Sequence, residues 1–449
     1  MTWSRPTAAE IEDILNQHVL DVWFPRSIDS EYGGFLCDFD RRWSSCGPHT
    51  KLLEFQARHT LLAAEASQLY PGDERLRHAA RHGFRYLREV MWDRDSGGWF
   101  HRLDRAGEPL EADTKHTHGA AYALQACAAV YRASGDSSAL DLACDAFEWL
   151  EAHAHDRFDG GYFGLLARDG TVILDASRLP WDSELDTIGT PVGLKDLNVH
   201  SDLLEALIHF HGVRPVPTVA ERVKELVSVI CDRALTSGGA LAYLFQPNWR
   251  PVPHLVRFGT GLQTIHRLIS AGRVVDDLEP LARIAHRIAR HALEVGWDRD
   301  RGGFCFAAPA TAPTAIEGHD VFVRRKSWWV QAEGLRAMLA LSALQPQDAD
   351  YAPYFHRLFD LLKRDFLDQR YGGMYATGLD HLPRWRRKLG RAAAPSDHQR
   401  KGTEWKDASH DGRAWLDCLA ACPIKPLEPS VHHSGSRPPP PAGAPRPTR

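Results

Sequence analysis

The chain has 449 residues, 43% of them hydrophobic, and sets 54 basic side chains against 58 acidic ones. That balance leaves no basic footprint for nucleic acid, and nothing in the chain suggests a membrane segment. Eight cysteines occur without a CxxC pair, which excludes a zinc ribbon or a thioredoxin-like motif and reads as small core residues in a reducing cytoplasm.

The N-terminal run MTWSRPTAAEIEDIL enters a helix with acidic residues in its first turns and carries no apolar signal core, so a cytoplasmic location is expected. From there amphipathic helical patterns fall near 8–24, 75–92, 138–154, 218–235, 277–295 and 350–367. More uniformly apolar ones fall near 53–69, 115–132, 198–211, 258–271, 326–343 and 410–421. The first kind should lie half exposed and the second buried.

Six glycine doublets punctuate the series: Gly33-Gly34, Gly97-Gly98, Gly160-Gly161, Gly238-Gly239, Gly302-Gly303 and Gly372-Gly373. Their first glycines are 64, 63, 78, 64 and 70 residues apart, which is a repeat. Each doublet reads as a tight turn in a long loop. Short connectors such as YPGD at 70–73 and ASGD at 133–136 join the helices at the other end. GGWFHRLDRAGEPL and GGYFGLLARDGTVIL alternate like small β-hairpins. The economical architecture is all-α: a closed ring of six helical hairpins with the apolar helices inside. An open solenoid normally uses shorter and more uniform repeats.

Residues 1–422 then form one domain. From Pro423 the composition turns to PIKPLEPSVHHSGSRPPPPAGAPRPTR, too proline-rich to pack, so 423–449 reads as a disordered tail. GRAAAPSDHQRKG at 390–402 is long enough for a lid and equally suits a loose loop.

In such a ring the inner helices and long loops line a funnel, where polar side chains have no packing role. Five clusters qualify: Gln56 with Arg58; Asn198, His200 and Asp202; Gln263; Trp328, Trp329, Gln331 and Glu333; Trp405 and His410. Paired tryptophans beside amide and carboxylate groups suit a sugar, although neighbouring helical positions point about 100° apart and at most one indole can face the funnel. Asn198 and Asp202 share a helix face, which turns His200 away as a packing histidine. His116 and His118, two apart and with no carboxylate at useful spacing, do not grip one metal together, so no metal is expected. His410 opens the last inner helix, and an imidazole exchanges protons near neutral pH.

Taken together, QAR at 56–58, LNVH at 197–200, WWVQAE at 328–333 and KGTEWKDASHDGRA at 401–414 resemble the N-acylglucosamine 2-epimerase superfamily, over roughly residues 8–421. The resemblance implies an (α/α)6 barrel and cofactor-independent proton transfer beside the carbonyl of an opened mono- or disaccharide. An enediolate would lead to a C2 epimer or a ketose. It implies His410 as a catalytic histidine, Arg58 as the cation near the sugar oxygens, Asn198 as a hydroxyl partner, and Trp329 and Trp405 as stacking walls. Asp202 and Gln263 complete the expected sugar-binding set.

Three positions depart from the family pattern. Where its epimerases carry GHDIE, this chain reads GTGLQ, with Thr260 and Gln263 in place of a histidine and a glutamate. Asp202 stands where the NxHxH helix has its second histidine. Threonine is no general base at neutral pH, which argues against epimerisation by two opposed histidines; isomerisation by a lone His410 stays compatible, and Asp202, His254 or His319 could supply a replacement acid. Two alternatives remain on sequence grounds: a sugar-binding protein with a decayed site, and a glycoside hydrolase using two carboxylates.

Overall fold

A computed structural model describes residues 6–110, 114–179, 181–309, 323–344, 351–378 and 400–422. The proline-rich segment 423–449, His319 and positions 390–399 lie outside the described residues.

Six inner helices are α3 (Leu53–Leu69), α5 (Thr117–Ser134), α7 (Leu197–His211), α9 (Phe258–Val274), α11 (Trp328–Leu344) and α13 (Ser409–Ala420). Each packs on the next, and α13 returns to α3, which closes the ring. The outer layer consists of α1 (Ala8–Leu15) with α2 (Asp21–Ser27), α4 (Glu74–Tyr86), α6 (Ser137–His153), α8 (Pro217–Ser228), α10 (Leu278–His291) and α12 (Ala352–Leu361). The expected burial contrast follows from this layering. Helix α3 buries residues on every side, Glu54 and Arg58 among them, whereas α10 buries only the stripe Leu281, Ala282, Ala285, Ile288, Ala289 and His291.

The doublets form one recurring loop. In five of the six, an aspartate carbonyl accepts from the first glycine and its own N–H donates to the second, as in Gly97 to Asp93 (2.8 Å) and Asp93 to Gly98 (2.9 Å). Both glycines are left-handed there, with φ of 68° and 67° at Gly97 and Gly98. The bulky residue that follows becomes a core plug: Phe35, Trp99, Tyr162, Phe304 and Met374 are all buried. Each plug contributes about 1.5–3 kcal/mol of apolar burial.

A buried lysine two residues ahead of the inner helix fastens the same aspartate. The pairs are Lys51–Asp29 at 2.8 Å, Lys115–Asp93 at 3.1 Å, Lys195–Asp156 at 2.7 Å and Lys326–Asp298 at 2.8 Å; Lys401–Asp368 at 3.0 Å completes the set from farther upstream of its helix. The fourth repeat departs: Thr236 replaces the aspartate, and Arg257 lies over the Tyr243 ring instead.

The loops do form hairpin turns, with bridges Leu103 to Pro109 and Leu166 to Val172. Their strands also stitch neighbouring repeats, which the sequence reading did not anticipate. Lys51–Leu52 pairs antiparallel with Arg102–Leu103, and Thr114–His116 with Leu165–Ala167. A short strand thus sets the start of one inner helix against the next loop, so the helix N-termini share one level around the mouth.

Candidate active site

That shared level gives the site its register. The second residues of the inner helices are Glu54, His118, Asn198, Gly259, Trp329 and His410; one turn deeper come Arg58, Tyr122, Asp202, Gln263, Glu333 and Ala414. Side chains at i and i+4 share a face, so both sets line the axis of the ring.

His410 Nδ1 lies 2.7 Å from Glu333 Oε1, and Glu333 Oε2 lies 3.0 Å from His266 Nε2. Burial alone would raise the Glu333 carboxyl, but Arg336, His266 and His410 hold it well below the usual carboxylate range. A fixed carboxylate at Nδ1 selects the tautomer that leaves Nε2 with a lone pair. Among the described residues nothing hydrogen-bonds to Nε2, and that nitrogen can accept a proton.

Arg58 lies between this group and the far wall. Its guanidinium donates to Asp407 Oδ2 at 3.2 Å and stacks over the Tyr122 ring at 4.0 Å. Trp329, half-buried, sits 5.7 Å from the His410 ring, while Trp328 is buried, so one indole of the pair faces inward as the helical geometry requires. Gly259 makes room for it, since a methyl there would fall inside the Trp329 ring. Trp405, in the loop before α13, lies 6.5 Å from the His118 ring, and Glu404 beside it is held by Arg102 at 3.0 Å and Thr50 at 3.1 Å.

On the opposite wall Asn198 spans two neighbours: its Oδ1 accepts from Thr260 at 3.3 Å, and its Nδ2 lies 3.0 Å from His118 Nε2. Asp202 is buried and heavily engaged: Tyr122 donates to its Oδ1 at 2.9 Å, Arg267 pairs with the same oxygen at 2.5 Å, and His118 Nε2 lies 2.9 Å from its Oδ2. Burial opposes its ionisation, yet Arg267, His118 and Arg58 pull the carboxyl down to about 2. Gln263 is buried one turn below Gly259 on the same helix.

Several expectations need correction. Carboxylates do reach His116 and His118, though from distant elements: Glu54 to His118 Nδ1 at 2.7 Å, Asp202 to its Nε2, and Asp186 to His116 at 3.2 Å. Spacing along one helix could not reveal them. Gln56 and Gln331 act on the backbone rather than in the funnel. Gln56 Oε1 accepts from Phe35 N at 2.6 Å and its Nε2 donates to Phe35 O at 2.9 Å; Gln331 does the same to Phe304, at 2.8 Å each. His200 holds the equivalent residue of the third repeat, accepting from Tyr162 N at 2.9 Å, in keeping with a packing histidine. His254 is half-buried and lies 3.0 Å from the Leu255 carbonyl.

Glu54, His118, Tyr122, His266 and Asp407 were missed as site residues. The available signal was positional: second residue and one turn on, counted from each inner-helix start. Among the described residues Cys37, Asp38 and His49 converge within metal-ligating reach. There, however, His49 Nδ1 accepts from Cys37 N and Asp38 N at 3.2 and 3.0 Å, and its Nε2 meets Ser45 at 2.6 Å, so both nitrogens are occupied.

Residues 33–381 match the N-acylglucosamine 2-epimerase (GlcNAc 2-epimerase) family. The chain is 26% identical to a cellobiose 2-epimerase of Bacteroides fragilis, over 91% of this chain and 98% of that one. It is 25% identical to one from Ruminococcus albus, over 92% and 98%. Among solved structures, a D-mannose isomerase superposes with a TM-score of 0.76 at 22% identity, covering 93% of this chain and 99% of that one. A family 76 glycoside hydrolase superposes at 0.60 with 10% identity, covering 92% of this chain and 77% of that one, and shares the barrel alone. No described helix is long and apolar enough to cross a membrane. The register of the ring and these matches place the chain in the N-acylglucosamine 2-epimerase family, as a sugar epimerase or isomerase with an (α/α)6 barrel.

Proposed function

We propose that this enzyme moves a proton between carbons of an open-chain aldose, with His410 as the base and no cofactor. The observation that carries the reading is the Glu333–His410 pair at 2.7 Å, one helix away from the Arg58 guanidinium. His410 removes the C2 proton through Nε2. Negative charge then develops on the sugar oxygens, where the fixed charge of Arg58, held by Asp407 and Tyr122, stabilises the enediolate. The proton returns to C1, giving a ketose, or to C2, giving the epimer. Trp329 and Trp405 offer apolar faces to the sugar C–H surface, and Asn198 and Gln263 offer amides to its hydroxyls. Asp202 orders the wall from below.

The names of the relatives favour a glucose or mannose unit, free or at the reducing end of a β-linked disaccharide. A cytoplasmic enzyme fits the uniformly unpaired cysteines. A hydrolase needs one carboxyl that stays protonated near neutral pH, and Asp202, drawn down by Arg267, does not serve. A sugar-binding protein without turnover is the remaining reading, prompted by Thr260. Incubation with cellobiose, mannose, glucose and N-acetylmannosamine in heavy water separates the two. Deuterium at C1 or C2 supports the isomerase, and its absence from every sugar, with thermal stabilisation by one of them, supports the binder.

A further inference from the structure

We infer that the sugar taken by this site carries a negatively charged substituent, a carboxylate or a phosphate, and that Arg257 and the Tyr243 hydroxyl hold it at the mouth beside Trp329. This rests on the function proposed above and names the class of aldose on which the enzyme acts.

Three observations carry it. First, Tyr243 stands at a position that lines the funnel. Its carbonyl accepts from Leu197 N at 2.9 Å, as the His101 carbonyl does from Leu53 N at 2.9 Å and the Phe306 carbonyl from Phe258 N at 3.2 Å. The side chains at those two equivalent places turn inward, His101 to Glu54 at 3.1 Å and Phe306 to the Trp329 ring at 6.1 Å. Second, Tyr243 is only 6% exposed, yet among the described residues nothing hydrogen-bonds to its hydroxyl. Burial and Asp196 raise the phenol above its ordinary value, so the hydroxyl keeps its proton and can donate it. Third, the half-buried Arg257 guanidinium lies 4.3 Å over the Tyr243 ring and has no carboxylate partner among the described residues.

The deeper arginines of the funnel are all neutralised: Arg58 by Asp407 at 3.2 Å, Arg267 by Glu205 at 2.8 Å, Arg336 by Asp417 at 2.6 Å and Arg413 by Glu205 at 2.8 Å. The acids on the Tyr243 side are engaged elsewhere, Asp196 with Val199 N and Thr190, and Asp186 with His116. Arg257 is thus a fixed cation without an anion, at the start of a helix whose first amides have no side-chain cap. A carboxylate or phosphate there gains a charge-assisted bond from the guanidinium and a second from the phenol. The place suits a sugar on Trp329, because that ring packs against Gly259, two residues past Arg257, and lies 5.7 Å from the His410 ring. A sugar stacked on the indole can present its carbonyl end to His410 and its far substituent to Arg257. Arg325, also unpaired among the described residues, lies 5.4 Å over Phe306 on the same wall and adds positive charge to it.

The test compares kcat/KM of the full-length enzyme on mannose and glucose with that on mannuronate, glucuronate, mannose 6-phosphate and glucose 6-phosphate. One charged sugar should exceed its neutral parent at least about 10-fold, chiefly through KM, and the advantage should shrink as salt rises to about 0.5 M. A uronate that wins identifies a carboxylate, and a sugar phosphate that wins identifies a phosphate. Arg257→Gln should cut the ratio of charged to neutral substrate at least about 10-fold, and Tyr243→Phe, which removes only the hydroxyl, about 3-fold or more. Neutral parents that match every charged form, an advantage indifferent to salt, or a ratio that survives Arg257→Gln overturns the inference. Should that variant not fold, the salt dependence of the wild type decides alone. If the wild type turns over no sugar, the isomerase reading fails, and calorimetric binding of the same sugars still decides this one. Tighter binding of a charged form, weakened by salt, supports it, and equal binding overturns it.

Discussion

Glu333 Oε1 and His410 Nδ1 lie 2.7 Å apart on adjacent inner helices, and the second oxygen of the same carboxylate meets His266 at 3.0 Å. A buried anion held by two imidazoles and by Arg336 fixes the ring of His410 without blocking its outer nitrogen. The site therefore depends on a residue that never needs to touch the sugar.

Glu333→Gln should lower kcat by at least about 100-fold with little change in KM, since the amide cannot hold the tautomer or balance the charged ring. Arg336 keeps its 2.6 Å pair with Asp417, so the accompanying loss of stability should be only about 1 kcal/mol. Steady-state kinetics and a thermal melt on the same preparation read both effects. An unchanged kcat would remove Glu333 from the mechanism.

Gly259→Ala probes the sugar wall. The added methyl would fall within the Trp329 ring, which must then leave its place beside His410. The expectation is a rise in KM of about 10-fold, the scale of a lost aromatic contact, with quenched or shifted tryptophan fluorescence. A variant with wild-type KM would show that Trp329 does not contact the sugar.

Two doublet glycines should respond differently to one substitution. Gly98 has φ of 67° and would place a methyl 2.8 Å from the Trp149 ring, so Gly98→Ala should cost about 1–3 kcal/mol. Gly238 has no left-handed backbone and nothing nearby, so Gly238→Ala should stay within about 0.5 kcal/mol. Denaturant midpoints of the two variants make the comparison, and equal losses would contradict the assignment of the fourth loop as different.

Stability should also report on His118. Its raised pKa means that the folded state binds the proton more tightly than the unfolded chain. The resulting stabilisation is complete below the ordinary value of 6.5 and is lost as pH climbs through about 9. Lys401 works in the opposite sense, because burial pushes its ammonium down to about 7 and stability gained from it rises with pH above that value. The difference in melting temperature between wild type and His118→Gln isolates the histidine: it should shrink between pH 6.5 and 9.5. A difference that stays constant would mean that His118 is neutral in the folded protein.

The arrangement of the molecule was legible from local pattern. Doublets at near-constant intervals, and helices alternating between striped and uniformly apolar, specify six hairpins and their inner and outer faces. His410 stood out at a helix start, and Arg58, Asn198 and Trp329 came from short motifs within single helices. The lysine two residues ahead of α3, α5, α7 and α11, each paired with its loop aspartate, was also present in the sequence, but it is hard to notice without knowing where the helices begin.

Local pattern determines helices because hydrogen bonds and apolar periodicity act within a few residues. Which polar side chains meet in the funnel is a different question, decided by the packing of the inner helices on one another. His118 draws Glu54 from α3 and Asp202 from α7, 64 and 84 residues away along the chain, and its charge depends on both at once. The sequence by itself determined the barrel, its mouth and one histidine. Only the tertiary structure decided the partners of His118 and Asp202, because buried electrostatics follow distance in space, and those groups come together only when consecutive inner helices pack side by side.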